Sequence, residues 1–389
     1  MRYRSHRGEK ISEVGFGCYS LSGAYGAKDP EDVKKVIVRA HDLGVNFFDT
    51  AEGYGNAEKI LGEVIKPFRD DVFLCTKVGF KGSLTPNLKK GYVKKACADS
   101  LERLGTDSID LYQVHFNDSE TPVAETVEAL DELRDDGKIV NYGVGHLPAS
   151  RIGEYCRKGD VFSVMMELSP VTRLSRQTLL PLCKEFGTAA LAFSVTGRGV
   201  LTGKFRKGKV FEEGDIRNMD ALFQRESFDS ALRTADKLAE LGKTYGKTPA
   251  QVAVAWVLAQ PNVACALTGP STIAHLEENL GGSGWTISRR DLDEMEGFFK
   301  KEETWLDKRR RDSIRKILAA PLKPNRTEAV ADLVYVLENA VALELAEEKD
   351  VLPLLREILA AREMGTEDES IKALVRVQRA ISETLSKVK

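Results

Sequence analysis

The chain has 389 residues, 42% of them apolar and 30% charged, with a net charge of −2. That balance is ordinary for a globular protein and excludes a disordered, collagen-like or strongly basic nucleic-acid-binding chain. No apolar run approaches the roughly 18 residues that suggest a membrane span. The opening MRYRSHRGEKISEVGFG carries positive charge with no apolar segment behind it, so a secretory leader is not expected. The six cysteines (Cys18, Cys75, Cys97, Cys156, Cys183 and Cys265) lie far apart without a C-x-x-C pair. This argues against a sequence-local metal motif and for reduced, buried thiols. A cytoplasmic protein with no metal, no nucleic-acid partner and no membrane partner is expected.

The first dozen residues alternate polar and apolar around Arg7-Gly8-Glu9, which could turn a hairpin across the floor of a barrel. Short apolar runs and longer amphipathic ones then alternate as far as about residue 282. Strands are predicted at Val14–Cys18, Val45–Thr50, Val72–Lys77, Ile109–His115, Ile139–Val144, Phe162–Met166, Ala189–Ser194 and Val263–Thr268. Helices are predicted at Glu31–Leu43, Asn56–Pro67, Lys89–Leu104, Val123–Asp136, Ala149–Arg157, Thr178–Phe186, a long section Ser230–Ala259, and Ile273–Leu280. Asp29-Pro30-Glu31-Asp32 reads as a helix start, and Gly44, Gly105 and Gly137 fall where helices would stop. Near-continuous apolar strands suit a parallel sheet covered on both faces. Eight β-then-α units point to an α/β fold, a (β/α)8 TIM barrel, with an open doubly wound sheet as the alternative.

Beyond residue 300 no strand-like run occurs. Helices are predicted at Asp312–Ala320, Thr327–Glu348, Val351–Glu363 and Ser370–Lys387, the second and fourth with apolar residues at helical spacing. The division expected is therefore a barrel over 1–300 and a C-terminal all-helical extension over 301–389. Lys308-Arg309-Arg310-Arg311 is surrounded by acidic residues, which favours a solvated helix face over a nucleic-acid site.

Functional side chains of a parallel barrel gather at the C-terminal ends of its strands. Asp49, Lys77 and His115 fall there, with Tyr54 in the loop after the second strand. Each alone has a plain structural reading, such as a helix cap or a satisfied core histidine; together on three successive strand ends they suggest chemistry. Reducing a carbonyl by hydride transfer creates alkoxide character that needs a nearby proton donor. Tyrosine holds its proton at neutral pH, an adjacent lysine lowers its pKa, a carboxylate positions the lysine, and a histidine can orient the substrate oxygen.

Asn46–Gly55, NFFDTAEGYG, followed by Ala57-Glu58-Lys59-Ile60-Leu61-Gly62, resembles the aldo-keto reductase signature. Leu74-Cys75-Thr76-Lys77 resembles that family's lysine strand, and Asp110-Leu111-Tyr112-Gln113-Val114-His115 its histidine strand. The similarity covers about residues 1–300 and places Asp49, Tyr54, Lys77 and His115 in the positions of the catalytic tetrad. It implies an extended nicotinamide cofactor across the barrel mouth, direct hydride transfer, and a small carbonyl or alcohol substrate.

The resemblance also assigns cofactor contacts. Gly17 and Tyr19 end the first strand. Phe193, Ser194, Gly197 and Gly199 belong to the loop whose aromatic stacks on nicotinamide and whose backbone meets the pyrophosphate; Phe193 replaces the usual tyrosine or tryptophan. Gly145 and His146 stand where the family has Ser-Asn, and Met165 where it has glutamine, so carboxamide recognition is altered. Gly269, Ser271, His275, Glu278 and Asn279 match the segment holding the adenosine end. That segment supplies no lysine or arginine for a 2′-phosphate, whereas family frequency favours NADP, so NADP(H) and NAD(H) both stay open. A second function from a different class is a cofactor-binding regulatory or scaffold protein with a helical partner-docking tail. The tail could equally serve as a homo-oligomer contact or a cover over the barrel mouth, where Trp305 would enter.

Overall fold

The structure, a computed structural model, describes residues 1–26, 28–80 and 86–386. The chain groups into two compact units, Met1–Lys204 with Ala235–Ser288, and Phe205–Thr234 with Arg289–Lys389.

The first unit opens with an antiparallel hairpin, β1 (Tyr3–His6) and β2 (Glu9–Ser12). Its turn residues Arg7 and Gly8 have φ of 47° and 87°, the left-handed pair that a two-residue hairpin turn requires. Eight parallel strands follow: β3 (Val14–Gly17), β4 (Phe47–Asp49), β5 (Phe73–Val78), β6 (Ile109–Val114), β7 (Ile139–Gly145), β8 (Ser163–Glu167), β9 (Ala189–Phe193) and β10 (Val263–Thr268). Each pairs with the next, and β10 pairs back onto β3 with Ala266 opposite Val14. That pairing closes the cylinder and removes the open-sheet alternative. Ile11 of the hairpin packs with Phe47, Phe73, Phe162 and Leu191 in one apolar cluster, so the hairpin stops the lower end of the barrel.

Between the strands run α1 (Pro30–Asp42), α2 (Ala57–Ile65), α3 (Lys90–Leu104), α4 (Val123–Asp135), α5 (Ala149–Lys158), α6 (Ser175–Thr178), α7 (Leu180–Phe186), α8 (Arg225–Tyr245), α9 (Pro249–Leu258) and α10 (Ile273–Leu280). The Asp29 side chain caps α1 by accepting from the Glu31 amide, and Val33, Val36, Ile37 and Ala40 form its buried face. α3 stops at Gly105, whose φ of 62° closes the helix in the left-handed region. The section Ser230–Ala259 is two helices rather than one. Thr248 and Gln251 form a reciprocal capping box that starts α9 afresh.

The second unit holds α11 (Arg289–Ala319), α12 (Arg326–Ala342), α13 (Glu348–Arg362) and α14 (Glu367–Ser386). The sequence predicted only Asp312–Ala320 of α11. Over its 31 residues the buried apolar ones are Met295, Phe299, Leu306, Ile314 and Ile317, a stripe too sparse to show through the charge around it. The helix predicted as Ser370–Lys387 begins three residues earlier, and Lys387 lies outside the described residues. Leu333, Leu337, Ile358, Leu374 and Ile381 form the core of α12–α14, and Ala221 joins the same cluster. Tyr335 donates to Glu226 at 2.7 Å and Arg225 pairs with Asp332 at 2.5 Å, tying Phe205–Thr234 into this unit. Trp305 lies between the guanidiniums of Arg233 and Arg309, 4.1 and 5.5 Å from its ring centroid. Within the basic run, Arg310 donates to Ser227 and Arg311 to the Leu343 carbonyl. Among the described residues no helix is long and apolar enough to cross a membrane.

Candidate active site

Three neighbouring strands deliver polar side chains to one rim of the barrel. Asp49 ends β4, Lys77 lies one residue from the end of β5, and His115 follows β6. The loop leaving β4 turns back at Ala51–Tyr54, where the Tyr54 amide bonds the Ala51 carbonyl, and presents the Tyr54 ring to the same place.

Lys77 Nζ lies 2.7 Å from both Asp49 carboxylate oxygens and donates to the Thr50 carbonyl at 2.7 Å. It also sits 5.0 Å from the Tyr54 ring centroid. The Tyr54 hydroxyl is 3.5 Å from His115 Nε2. The four residues thus form a continuous series from carboxylate through ammonium and phenol to imidazole. Lys77, Asp49 and His115 are 1%, 5% and 3% exposed, whereas Tyr54 is half-buried. The Nδ1 of His115 is buried without a hydrogen-bond partner among the described residues.

Burial opposes the Lys77 charge, but the Asp49 carboxylate, with smaller contributions from Tyr54 and Cys75, raises the lysine pKa overall, so the site keeps an ammonium. Burial raises the Tyr54 pKa; Lys77 pulls it down by charge and hydrogen bonding without overcoming that effect. Lys77 thus lowers the phenol pKa as expected from sequence, but burial outweighs it and the net shift is upward, so Tyr54 holds its proton. Burial, then the Lys77 charge, holds His115 well below the ordinary histidine range, so its imidazole is neutral.

Aromatic rings border this series. Tyr19 meets Tyr54 edge-on at 5.1 Å, and Phe116 lies 4.5 Å from His115. His146 stacks on Phe116 at 4.7 Å and tilts against Phe193 at 4.8 Å. Phe80 contacts Phe116 at 4.8 Å and faces the His115 edge at 6.4 Å. Sequence reasoning missed Phe80 and Phe116. The available signal was an aromatic placed one to three residues beyond each of two polar strand ends. His146, Ser194 and Arg198 have φ of 50°, 54° and 50°, strained values for non-glycine residues of the kind that gather at functional rims.

The remaining sequence candidates fall into two groups. Gly145 pairs with buried Met165 across β7 and β8, next to His146 and Phe193. Arg198 forks onto Glu167 at 2.6 and 3.3 Å and pins the loop beginning at Ser194. In that loop a Cβ at Gly197 would meet Val171 and Val200 at 2.8 and 2.9 Å, so packing alone demands glycine there; Gly199 has φ 93°. In the second group, Gly17 and Gly269 face one another closely enough that a Cβ on Gly269 would lie 3.4 Å from the Gly17 carbonyl. Ser271 precedes α10, capped by Thr272, and His275 is exposed on its first turn. Glu278 pairs with Lys204 at 3.5 Å, and Asn279 is half-buried beside it. The His275 pKa is lowered by the partial burial of its ring and by the charges of Lys204 and Lys28, against Glu278, which raises it. The two lysines come from distant loops, which is why residues 269–279 by themselves offered no lysine or arginine.

The rim fits an extended dinucleotide. Phe193 and His146 offer a ring platform at one end, and Gly17 and Gly269 keep the rim at β3 and β10 free of side chains. The N-terminus of α10, on a helix that Lys204 meets at Glu278, suits phosphate at the other end. A closed parallel barrel with a phenol, a buried ion pair and a neutral imidazole on its rim is the architecture of a barrel-borne oxidoreductase. The Aldo/keto reductase family model matches residues 13–300, and the chain belongs to that family. It is similar to the aldo-keto reductase yakc [NADP(+)] of Schizosaccharomyces pombe, 33% identical over 74% of this chain and 88% of that protein. It is 32% identical to the NADH-specific methylglyoxal reductase of Escherichia coli, over 72% of this chain and 92% of that protein. Among solved structures, aldo-keto reductase AKR11C1 from Bacillus halodurans in its holo form superposes with a TM-score of 0.66 at 28% identity, covering 76% of this chain and 96% of that one. As a member of this family the chain is an NAD(P)H-dependent aldo-keto reductase acting on carbonyl compounds.

Proposed function

We propose that this enzyme reduces a small aldehyde, ketone or sugar carbonyl, with Tyr54 as the proton donor and His115 orienting the substrate oxygen. The observation carrying this reading is the Tyr54 phenol, its ring against a buried ammonium and its hydroxyl at a neutral imidazole. When bound, the nicotinamide dinucleotide supplies the hydride. The phenol, protonated at neutral pH, gives its proton to the oxygen as negative charge develops there. Lys77, buried and 5.0 Å from the centroid of that ring, then faces a phenolate from a low-dielectric position, where its charge counts most. Asp49 holds that ammonium in place. His115, neutral and with Nε2 at the phenol, can bond the substrate oxygen without adding charge.

Phe193, His146, Gly145 and Met165 would hold the nicotinamide end, and Gly17, Tyr19, Ser194, Gly197 and Gly199 its middle. Gly269, Ser271, His275, Glu278 and Asn279 would hold the adenosine. A barrel domain over 1–300, an extension over 301–389 and a cytoplasmic location complete the proposal. The test is oxidation of NADPH and of NADH across a panel of aldehydes, ketones and aldoses. Turnover of at least one carbonyl is expected. Tight cofactor binding with no turnover on any would favour the regulatory reading instead.

A further inference from the structure

Glu52 lies between two of the rim residues in sequence, yet it has no place in the chemistry above. Its carboxylate is buried, 6% exposed. One oxygen accepts from the Gly79 amide at 2.7 Å and the Phe80 amide at 3.1 Å, and the Tyr92 hydroxyl donates to both oxygens at 3.1 Å. The Glu52 amide in turn bonds the Lys77 carbonyl at 3.3 Å. The loop leaving β4 and the loop leaving β5 are thus stitched together at this one side chain. They are also packed hard together, since a Cβ on Gly53 would drive into the Phe80 carbonyl.

The two loops depend on Glu52 unequally. Tyr54 has its own turn bond to Ala51 and ring contacts with Tyr19 and His115. For the Phe80 amide, the bond that holds it is the one to Glu52. The ring beyond that amide is the one set against His115 and Phe116, on the side of the rim where the substrate oxygen would sit. Substrate carbonyls with a flat apolar substituent would lie along these rings.

We infer that Glu52 is a positioning residue: by anchoring the Gly79 and Phe80 amides it sets Phe80 as the wall that selects carbonyl substrates bearing an aryl or other flat apolar group. The inference rests on the reductase reading. It requires acceptor geometry rather than charge, because one oxygen serves both amides and an amide side chain in the same place would still supply it.

The experiment uses the full chain with saturating cofactor, benzaldehyde as the flat probe and propanal as the small one. Glu52→Ala should raise KM for benzaldehyde about tenfold with kcat within about twofold, and change propanal kinetics little, the pattern of lost ground-state positioning. Glu52→Gln should restore wild-type KM. Phe80→Ala should raise KM for benzaldehyde similarly, and Glu52→Ala combined with Phe80→Ala should be no worse than either alone, because both remove the same wall. Should Glu52→Ala not fold, Glu52→Asp, which withdraws the acceptor but keeps the charge, should give an intermediate KM. Additive effects of the two alanines, equal damage from Gln and Ala, or a fall in kcat at constant KM would each overturn the inference while wild-type turnover stands. No turnover of either probe or any other carbonyl by the wild type would remove the reductase reading itself.

Discussion

Protonation at the rim is set by enclosure, and enclosure makes a definite pH profile. His115 has a folded pKa below the ordinary value of about 6.5. Its contribution to stability is therefore complete above that value and is lost as pH falls through it towards the folded pKa. Tyr54 titrates above its ordinary range near 10. Reduction should then show kcat/KM flat from about pH 6.5 to 9, while alcohol oxidation, which needs the phenolate, should climb with pH across the same range. Initial rates in both directions over a buffer series check this; a basic limb for reduction near neutrality would contradict it. Asp49, Lys77, His115 and Tyr54 were legible as a set because charged and hydroxyl groups at buried strand ends are unusual enough to stand out. The net direction of the phenol shift was not, because it depends on how many atoms surround the ring, a quantity no spacing of residues encodes. Glu52 was hidden for the same reason: a carboxylate whose partners are backbone amides of another loop has no sequence signature.

Elements differ in how plainly the sequence announced them. The eight barrel strands were readable to within two residues because most of their residues are buried and apolar. The helix α11 was mostly unreadable: five buried apolar side chains spread over 31 residues leave charge on most of its surface. Loops hold the other surprise. Lys28 and Lys204 belong to the loops after β3 and β9, yet both act on His275 at the first turn of α10. A cation paired with Glu278 further along that helix is placed to favour a 2′-phosphate, since such a group binds best to charge-assisted donors. Lys204→Ala should raise the KM for NADPH about tenfold and that for NADH less than about twofold. Steady-state titration of each cofactor at fixed substrate measures this. Equal shifts for both cofactors would mean that Lys204 serves the loop rather than the phosphate.

At the scale of the molecule, the chain is one catalytic barrel unit and one helical unit, and the second has used its apolar surface internally. In α12–α14 the residues at helical spacing that looked available for a partner, among them Val330, Leu333, Leu337, Leu374, Val377 and Ile381, are buried in their own core. The large apolar side chains left exposed in that unit, among the described residues, are Val210 and Met364. An oligomer contact through these helices would have to be polar, and stable homodimer interfaces are more apolar than that. Light scattering at micromolar concentration should accordingly give the mass of one chain, and a stable dimer that breaks on substitution of polar residues in α12–α14 would refute this. The most direct test of the whole account is the comparison of Tyr54→Phe with the wild type on one substrate that the wild type turns over. Because the substitution removes a single hydroxyl at the proton-donating position, kcat for reduction should fall by about a hundredfold or more, with NADPH affinity by fluorescence titration unchanged. Undiminished kcat in the phenylalanine variant would contradict the account.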